Sequence, residues 1–248
     1  MAALLAWQDY YATGSTDVFV AYEERLHART NVGAVDGTGL VNTSVGRHIV
    51  AWDPPPTREM FVNSAHTAVC SAWAVRGLEA LAEMAAQTTA AAAAAPGNPV
   101  ANTNNNGSVY AAEAASIRAA MMGAMWNESA GRFCDGICAD PAVRGHGGVT
   151  TDYFTTFLGL VPDADGAGTA AAARCGAMAE VGLEGIGDYG AFVFVGALAR
   201  HSGDDGTALL TALAKCDADS WCAEIEVYVT LARSLARSRL VLSRYSYH

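Results

Sequence analysis

The chain has 248 residues, a formal net charge of -10 at pH 7 and a sequence pI near 4.9. Apolar residues make up 52% of the chain and charged residues 16%, a balance that is too apolar for a disordered protein. The acidic charge argues against a nucleic-acid partner, since a phosphate-binding face needs clustered Lys and Arg. No run of about 18 apolar residues without charge is present, so the sequence predicts no membrane span.

The beginning of the chain does not have the pattern of a secretory signal. Residues 1–7 are too short for the apolar part of a signal peptide and lack a basic start. With no predicted membrane span either, the sequence favours a cytoplasmic protein.

The cysteines are interpreted as free, mostly buried thiols in a reducing compartment. There are six of them: Cys70, Cys134, Cys138, Cys175, Cys216 and Cys222. A chain of this length does not depend on a disulfide framework, and neither a CxxC pair nor a His-x3-His partner is present. The alternative interpretation of these residues is a zinc site.

The first part of the chain predicts two helices followed by an irregular segment. An apolar stripe over residues 1–30 is broken at residues 13–17, which predicts two helices joined by a short turn. Residues 31–47 are rich in Gly and predict loop or short strand. Asp36-Gly37 and Thr38-Gly39 are turn signals within that segment.

The next predicted helix leads into a low-complexity insertion. Asn63 or Ser64 is a candidate N-cap, and the apolar face continues to about Gln87. Residues 88–108 then contain six consecutive alanines, which extend the helix by a turn, and a Pro- and Asn-rich stretch. We interpret that stretch as a solvent-exposed linker.

A clean amphipathic helix follows the insertion and ends near Trp126. Its apolar face is formed by Tyr110, Ala114, Ile117, Met121 and Met125. Residues 133–148 predict a Gly-rich loop, in which Asp135 and Asp140 have the character of turn residues. A short aromatic helix is predicted over residues 152–160 and is closed by Gly159.

The remaining pattern is also helical. Helices are predicted at residues 167–181, 189–200 and 206–214, and another begins at 220. No alternation of period two persists over a strand length, so the fold class is all-α, built from helical hairpins. Function is therefore expected on the loop face, since the helices carry the core.

The last residues differ from the rest. Residues 227–248 contain four arginines and no acidic residue, whereas residues 1–226 are acidic and rich in Ala and Gly. We interpret 1–226 as one domain and 227–248 as a divergent basic tail. The tail is either a basic amphipathic helix or a segment that is not native to the domain, such as a frameshift product.

Several segments, in order along the chain, are similar to motifs of the α-L-rhamnosidases. They are Ala6-Trp7 with Tyr10-Tyr11 and Thr13-Gly14, Gly39-Leu40-Val41, His48-Ile49-Val50-Ala51-Trp52, Arg58-Glu59, Thr67-Ala68-Val69, Trp126-Asn127, Gly131-Arg132-Phe133-Cys134-Asp135-Gly136, His146, Phe157-Leu158-Gly159-Leu160-Val161-Pro162, Tyr189-Gly190-Ala191 and Ser220-Trp221. Departures include Ala6 for a proline, and Ser15 and Ala51 for aspartates.

The resemblance implies a six-hairpin (α/α)6 catalytic domain that hydrolyses terminal rhamnose with inversion. Inversion needs a carboxylic acid and a carboxylate base about 6.5–9.5 Å apart. In the family the acid precedes the first matched segment, and the base follows the Ser-Trp motif, where the tail at 227–248 has no carboxylate. We therefore expect an incomplete toroid that lacks both catalytic carboxylates and is inactive alone. No catalytic residue, metal or cofactor is assigned.

The resemblance further implies a sugar pocket lined by Trp7 and Trp52. The apolar face of rhamnose, with its C5 methyl group, stacks well on an indole ring. The alternative is that each tryptophan belongs to the core.

Polar candidates for the same pocket are Asp53, Arg58, Glu59, His146 and Tyr189. The Arg and the two carboxylates after Trp52 either bind sugar hydroxyls or brace their loop. His146 and Tyr189 are either sugar contacts or structural residues.

Two classes of function follow. The first is an α-L-rhamnosidase-like glycoside hydrolase domain, here a fragment, with a rhamnose-containing saccharide as ligand. The alternative is a non-catalytic helical module that binds sugar or protein. In either case a partner chain is expected to cover helices that face missing hairpins.

Overall fold

The computed structural model of the chain describes residues 2–30, 32–45, 64–94 and 106–162, together with Val193 and Ala197. Its helices within these ranges are α1 (Ala2–Thr13), α2 (Asp17–Ala28), α3 (Ala68–Ala94), α4 (Gly107–Ala124) and α5 (Val149–Phe157). Two 3-10 turns, Val32–Ala34 and Thr43–Val45, and two short strands, β1 (Trp126–Asn127) and β2 (Arg132–Phe133), connect them. This part of the chain is mostly helical, in agreement with the predicted all-α character. None of its helices is long and apolar enough to cross a membrane.

The turn between α1 and α2 lies where the break in the apolar stripe predicts it. Gly14 ends α1 with a positive φ of 71°, which glycine adopts without a steric penalty, and its N–H donates to the carbonyl of Tyr10 at 2.7 Å. The hydroxyl of Ser15 accepts the backbone N–H of Asp17 at 3.1 Å, which satisfies a free donor at the start of α2.

Helix α3 is the central element of the described part. From Ala68 to Ala85 most of its residues are buried on every side, which is typical of a helix surrounded by others. It packs against α1, α2, α4 and α5. Small residues permit this close packing: a Cβ added at Gly77 would lie 3.1 Å from the methyl group of Thr30.

The ends of α3 differ in how well the sequence predicts them. The alanine run extends the helix to Ala94, as predicted. The predicted N-cap at Asn63 or Ser64 is wrong, because α3 begins at Ala68, and the hydroxyl of Thr67 accepts the N–H of Cys70 at 3.4 Å. Ser64 instead donates its hydroxyl to the carbonyl of His66 at 2.7 Å. The hydroxyl of Ser64 is therefore used in a local turn and does not cap α3.

Helix α4 confirms the predicted amphipathic pattern. All the residues of its predicted apolar face are buried: Tyr110, Ala114, Ile117, Met121 and Met125. Directly after it, β1 and β2 form an antiparallel pair with Trp126 opposite Phe133 and Asn127 opposite Arg132. The sequence did not predict this pair, because two-residue strands are too short to produce a visible alternation.

Helix α5 begins earlier than predicted. It starts at Val149 rather than at Asp152. The N-cap residue is Gly148, which is extended, with φ −81° and ψ 166°, and helical backbone begins at the next residue. Its predicted end is confirmed: Gly159 has a φ of 72°, and Leu160 donates to the carbonyl of Thr155 at 2.9 Å.

The interpretation of all the cysteines as free thiols is wrong for two of them. Cys134 and Cys138 form a disulfide, with Cα atoms 5.4 Å apart, whereas Cys70 is a free buried thiol on α3. The loop brings the two together because both ends pair with the end of α4. Cys134 N–H donates to Met125 O at 2.7 Å, and Cys138 N–H donates to Ala124 O at 2.9 Å.

Other predictions lie outside the described residues. These are the linker beyond Ala94, the helices at 167–181 and 206–214, the tail at 227–248 and Cys175, Cys216 and Cys222. Of the helix predicted over 189–200, the described residues are Val193 and Ala197, which are helical and buried.

Candidate functional site

Loops that are distant in sequence meet at the N-terminal end of α3. The chain at Asn42 pairs with His66, and Thr43 N–H donates to the carbonyl of Ala65 at 2.7 Å. The N–H of Ala68, at the first residue of α3, donates to the carbonyl of Asp135 at 2.9 Å. Residues 32–45, 64–67 and 134–148 thus form one loop cluster on the helical scaffold.

A buried carboxylate lies at the centre of the loop cluster. The side chain of Asp135 is 1% exposed, and its Oδ2 lies 2.8 Å from Nδ1 of His146. Its Oδ1 accepts the N–H of Gly148 at 2.7 Å and the hydroxyl of Thr151 at 2.6 Å. Both carboxylate oxygens are therefore satisfied, as a buried charge requires.

The predicted site residue His146 is held by this carboxylate and faces outward. Its side chain is 36% exposed, and its carbonyl accepts the N–H of Asp135 at 2.8 Å. With a proton on Nδ1 toward Asp135, Nε2 of the neutral ring carries a lone pair. Among the residues that the structure describes, Nε2 has no hydrogen-bond partner. In that tautomer the imidazole presents an oriented hydrogen-bond acceptor at the surface.

A second histidine–aspartate pair braces the same cluster. His66 Nε2 lies 2.7 Å from Asp36 Oδ2, and Asn42 donates to that oxygen at 3.1 Å. Asp36 Oδ1 accepts the hydroxyl and the N–H of Thr38 at 2.6 and 2.9 Å. These hydrogen bonds, those from Thr38 above all, hold the pKa of Asp36 well below its usual range.

The two pairs are in contact through Gly136. A Cβ added there would lie 2.5 Å from the carbonyl oxygen of His66 and 2.6 Å from the hydroxyl of Ser64. Only a glycine permits this approach, so the residue after Asp135 packs directly on the segment that carries His66.

The other described candidate, Trp7, lies half-buried on α1 in a different environment. Its indole N–H donates to Glu83 Oε2 at 2.7 Å, and the guanidinium carbon of Arg76 lies 4.8 Å from the ring centroid. The ring of Tyr11 is 4.4 Å away and tilted, and Tyr11 is 66% exposed. The indole N–H and one ring face are therefore occupied within the protein.

Trp7 and His146 are not brought into one contact cluster. Trp7 packs on α3 at Arg76 and Glu83, whereas the loop cluster lies at Ala68. The helix rises about 12 Å between residues 68 and 76. Trp52, Asp53, Arg58, Glu59 and Tyr189 lie outside the described residues.

Sequence reasoning missed the role of Asp135. Asp140 behaves as predicted, since its Oδ1 accepts the N–H of Ala142 at 2.8 Å in a turn. Asp135 was predicted to do the same, but it lies between the buried Phe133 and Cys134 and the close-packed Gly136. That apolar context on both sides was the available signal for a buried carboxylate.

The chemistry of the loop cluster is that of hydrogen bonding and proton acceptance. Among the described residues no group of three or more His, Cys, Asp or Glu side chains is arranged to hold a metal ion. No protein-family model, curated protein or solved structure matches the chain.

Proposed function

We propose that the chain is part of a six-hairpin glycoside hydrolase domain resembling the α-L-rhamnosidases, and that its loop cluster binds the sugar. The observation that carries the proposal is the His146–Asp135 pair. A buried carboxylate orients a partly exposed imidazole, and among the residues that the structure describes no group occupies its Nε2. A group that is held in place before binding loses little conformational entropy when the sugar arrives.

The location of the matched segments supports the same side of the scaffold. Residues 39–41, 67–69 and 131–136 carry part of the resemblance, and each of these segments lies in or directly beside the loop cluster. Segments from separate hairpins that meet at one end of a helical scaffold are the arrangement expected of a ligand site.

The role we assign to the described part of the chain is binding rather than catalysis. Inverting hydrolysis needs one protonated carboxyl group and one carboxylate that can activate water. Asp135 is surrounded by three donors, and Asp36 accepts hydrogen bonds on both oxygens. Neither of these two carboxylates is available for those two tasks.

Titration of the full chain with L-rhamnose, followed by NMR chemical shifts, tests the proposal. We expect His146→Ala to weaken binding by about two- to tenfold, the effect of losing one hydrogen bond. His27→Ala is the matched control, because His27 pairs with Glu113 on α4 away from the loop cluster. Equal affinities of the two variants, or no shift with the unmodified chain, would overturn the proposal.

A parallel assay with an aryl α-L-rhamnoside addresses catalysis. We expect no turnover above the uncatalysed rate, because Asp135 and Asp36 are engaged by donors within the protein. Turnover by the purified chain would contradict the assignment of binding alone.

A second candidate function, a protein-binding helical module, is favoured by the outer faces of α1 and α2. Exposed apolar side chains there are Leu5, Tyr11, Val18, Val20 and Tyr22. Patches of this kind mark surfaces that another chain covers. Sedimentation of the chain compared with a Tyr11→Ser, Tyr22→Ser variant tests this surface: association that the variant loses would support it, and two monomers would count against it.

A further inference from the structure

We propose that the Cys134–Cys138 disulfide is a redox latch that fixes the His146–Asp135 pair. The bond closes a ring of residues 134–138, and Asp135 lies inside that ring. The identity of the ligand rests on the proposed function, whereas the latch itself concerns only the geometry of the pair.

The ring connects the carboxylate to two neighbouring elements. Its two cysteines donate their N–H groups to the last carbonyls of α4, at Ala124 and Met125. On the other side, Gly145 N–H donates to Cys138 O at 3.0 Å, and Asp135 N–H donates to His146 O at 2.8 Å. The disulfide therefore holds together the end of α4, the Asp135 segment and the segment that carries His146.

Reduction breaks the one disulfide that the described residues contain. Without the bond, the chain at Cys138 can separate from the chain at Cys134, and the hydrogen bond from Gly145 to Cys138 then opens with it. Because Gly145 directly precedes His146, the imidazole loses its fixed orientation toward Asp135. The pre-oriented acceptor becomes a mobile side chain.

The two sulfurs differ in access, which determines how reduction proceeds. Cys134 is fully buried, whereas Cys138 is partly exposed. One thiolate of a dithiol reductant attacks Sγ of Cys138, the S–S bond breaks, and its electron pair goes to Sγ of Cys134, which takes up a proton. The second reductant thiol then attacks the mixed disulfide and releases Cys138 as a thiol. The protein gains two electrons and two protons, and the reductant becomes a cyclic disulfide.

The test uses the full chain labelled with ¹⁵N at histidine, with and without dithiothreitol, and NMR of the ring nitrogens of His146. In the oxidised chain we expect one fixed tautomer, with distinct shifts for Nδ1–H and bare Nε2. On reduction we expect the two shifts to move toward their mean, and the Gly148 amide to exchange its hydrogen at least about tenfold faster. Unchanged shifts and exchange, in a chain whose mass shows the bond reduced, would overturn the latch.

A Cys134→Ala, Cys138→Ala variant is the matched control. It should resemble the reduced chain and should not respond to dithiothreitol, whereas Cys70→Ala should respond like the unmodified chain. A dithiothreitol effect that persists in the double variant would overturn the latch, because it would have another origin. Rhamnose titration is evaluated separately: if neither redox state binds, the proposed function fails, while the nitrogen shifts still decide the latch.

Discussion

At the scale of single residues, two aspartates of the loop cluster each pair with a histidine but differ in burial. Asp135 is buried and is contacted by three donors, one of them His146. Asp36 is partly exposed, lies in a turn and holds His66. Asp135 therefore stabilises the fold because its removal would leave buried donors unsatisfied. Asp36 stabilises the fold through hydrogen bonds that favour its charged form.

Replacing Asp135 by Asn tests the first contribution. An amide would place an N–H₂ group against a donor and leave at least one buried partner unsatisfied, so we expect the free energy of unfolding to fall by about 1–3 kcal/mol. Urea denaturation measures the change. Asp140→Asn is the control, since Asn also forms this type of turn, and its effect should stay within about 0.5 kcal/mol. Equal effects of the two substitutions would contradict the buried role of Asp135.

The lowered pKa of Asp36 predicts a dependence of stability on pH. Because the folded pKa lies below the unfolded value of about 3.9, the stabilisation is fully present above that pH and is lost as the pH falls below it. We expect the stability difference between the unmodified chain and Asp36→Asn to be constant above about pH 5 and to shrink below about pH 4. Urea denaturation over this range measures it. A difference that does not change with pH would rule out the charged form of Asp36 as its source.

At the scale of elements, the contact between the segment at Gly136 and the segment before α3 organises the loop cluster. The approach of Gly136 to the backbone of His66 leaves no space for a side chain. A side chain added at Gly136 would therefore disturb the packing of the loop cluster on the segment before α3.

Gly136→Ala should destabilise the fold through this contact. The added methyl group would overlap backbone that cannot move independently, and we expect a loss of about 1–3 kcal/mol in the free energy of unfolding. Gly37→Ala is the matched control, because no atom lies within 4 Å of a Cβ at Gly37. That substitution should leave stability unchanged or raise it by up to about 1 kcal/mol. Thermal and urea unfolding of both variants separate the two cases, and a tolerated Gly136→Ala would disprove the close packing.

How much of each element the sequence reveals depends on the range of the interactions that form it. The face of α4 from Tyr110 to Met125 is predictable because helical periodicity is local. The start of α3 at Ala68 is not, because a turn at Ser64 uses the candidate cap. His146 enters the site through its motif, whereas its partner Asp135 becomes visible only once the loop folds back against α3.

At the scale of the whole molecule, the disulfide adds a constraint that composition alone does not indicate. Closing a ring of residues 134–138 restricts the unfolded chain, and the loop-entropy relation gives about 2 kcal/mol for a ring this small. We expect reduction to lower the free energy of unfolding by about this amount, measured by urea denaturation with and without dithiothreitol. An equal loss in the Cys134→Ala, Cys138→Ala variant on reduction would assign the effect to another group.

The central position of α3 also has a consequence for synthesis on the ribosome. Helices α1 and α2 precede it in the chain and pack on it, and their buried side chains, among them Ala3, Phe19 and Leu26, belong to the same apolar core. Until the chain as far as about Ala85 has left the exit tunnel, these side chains lack their main apolar partner. Because domains fold as they emerge, the nascent chain exposes this surface from the emergence of α2 until the chain as far as about Ala85 has followed. Binding of a chaperone to the exposed apolar side chains is expected during that interval.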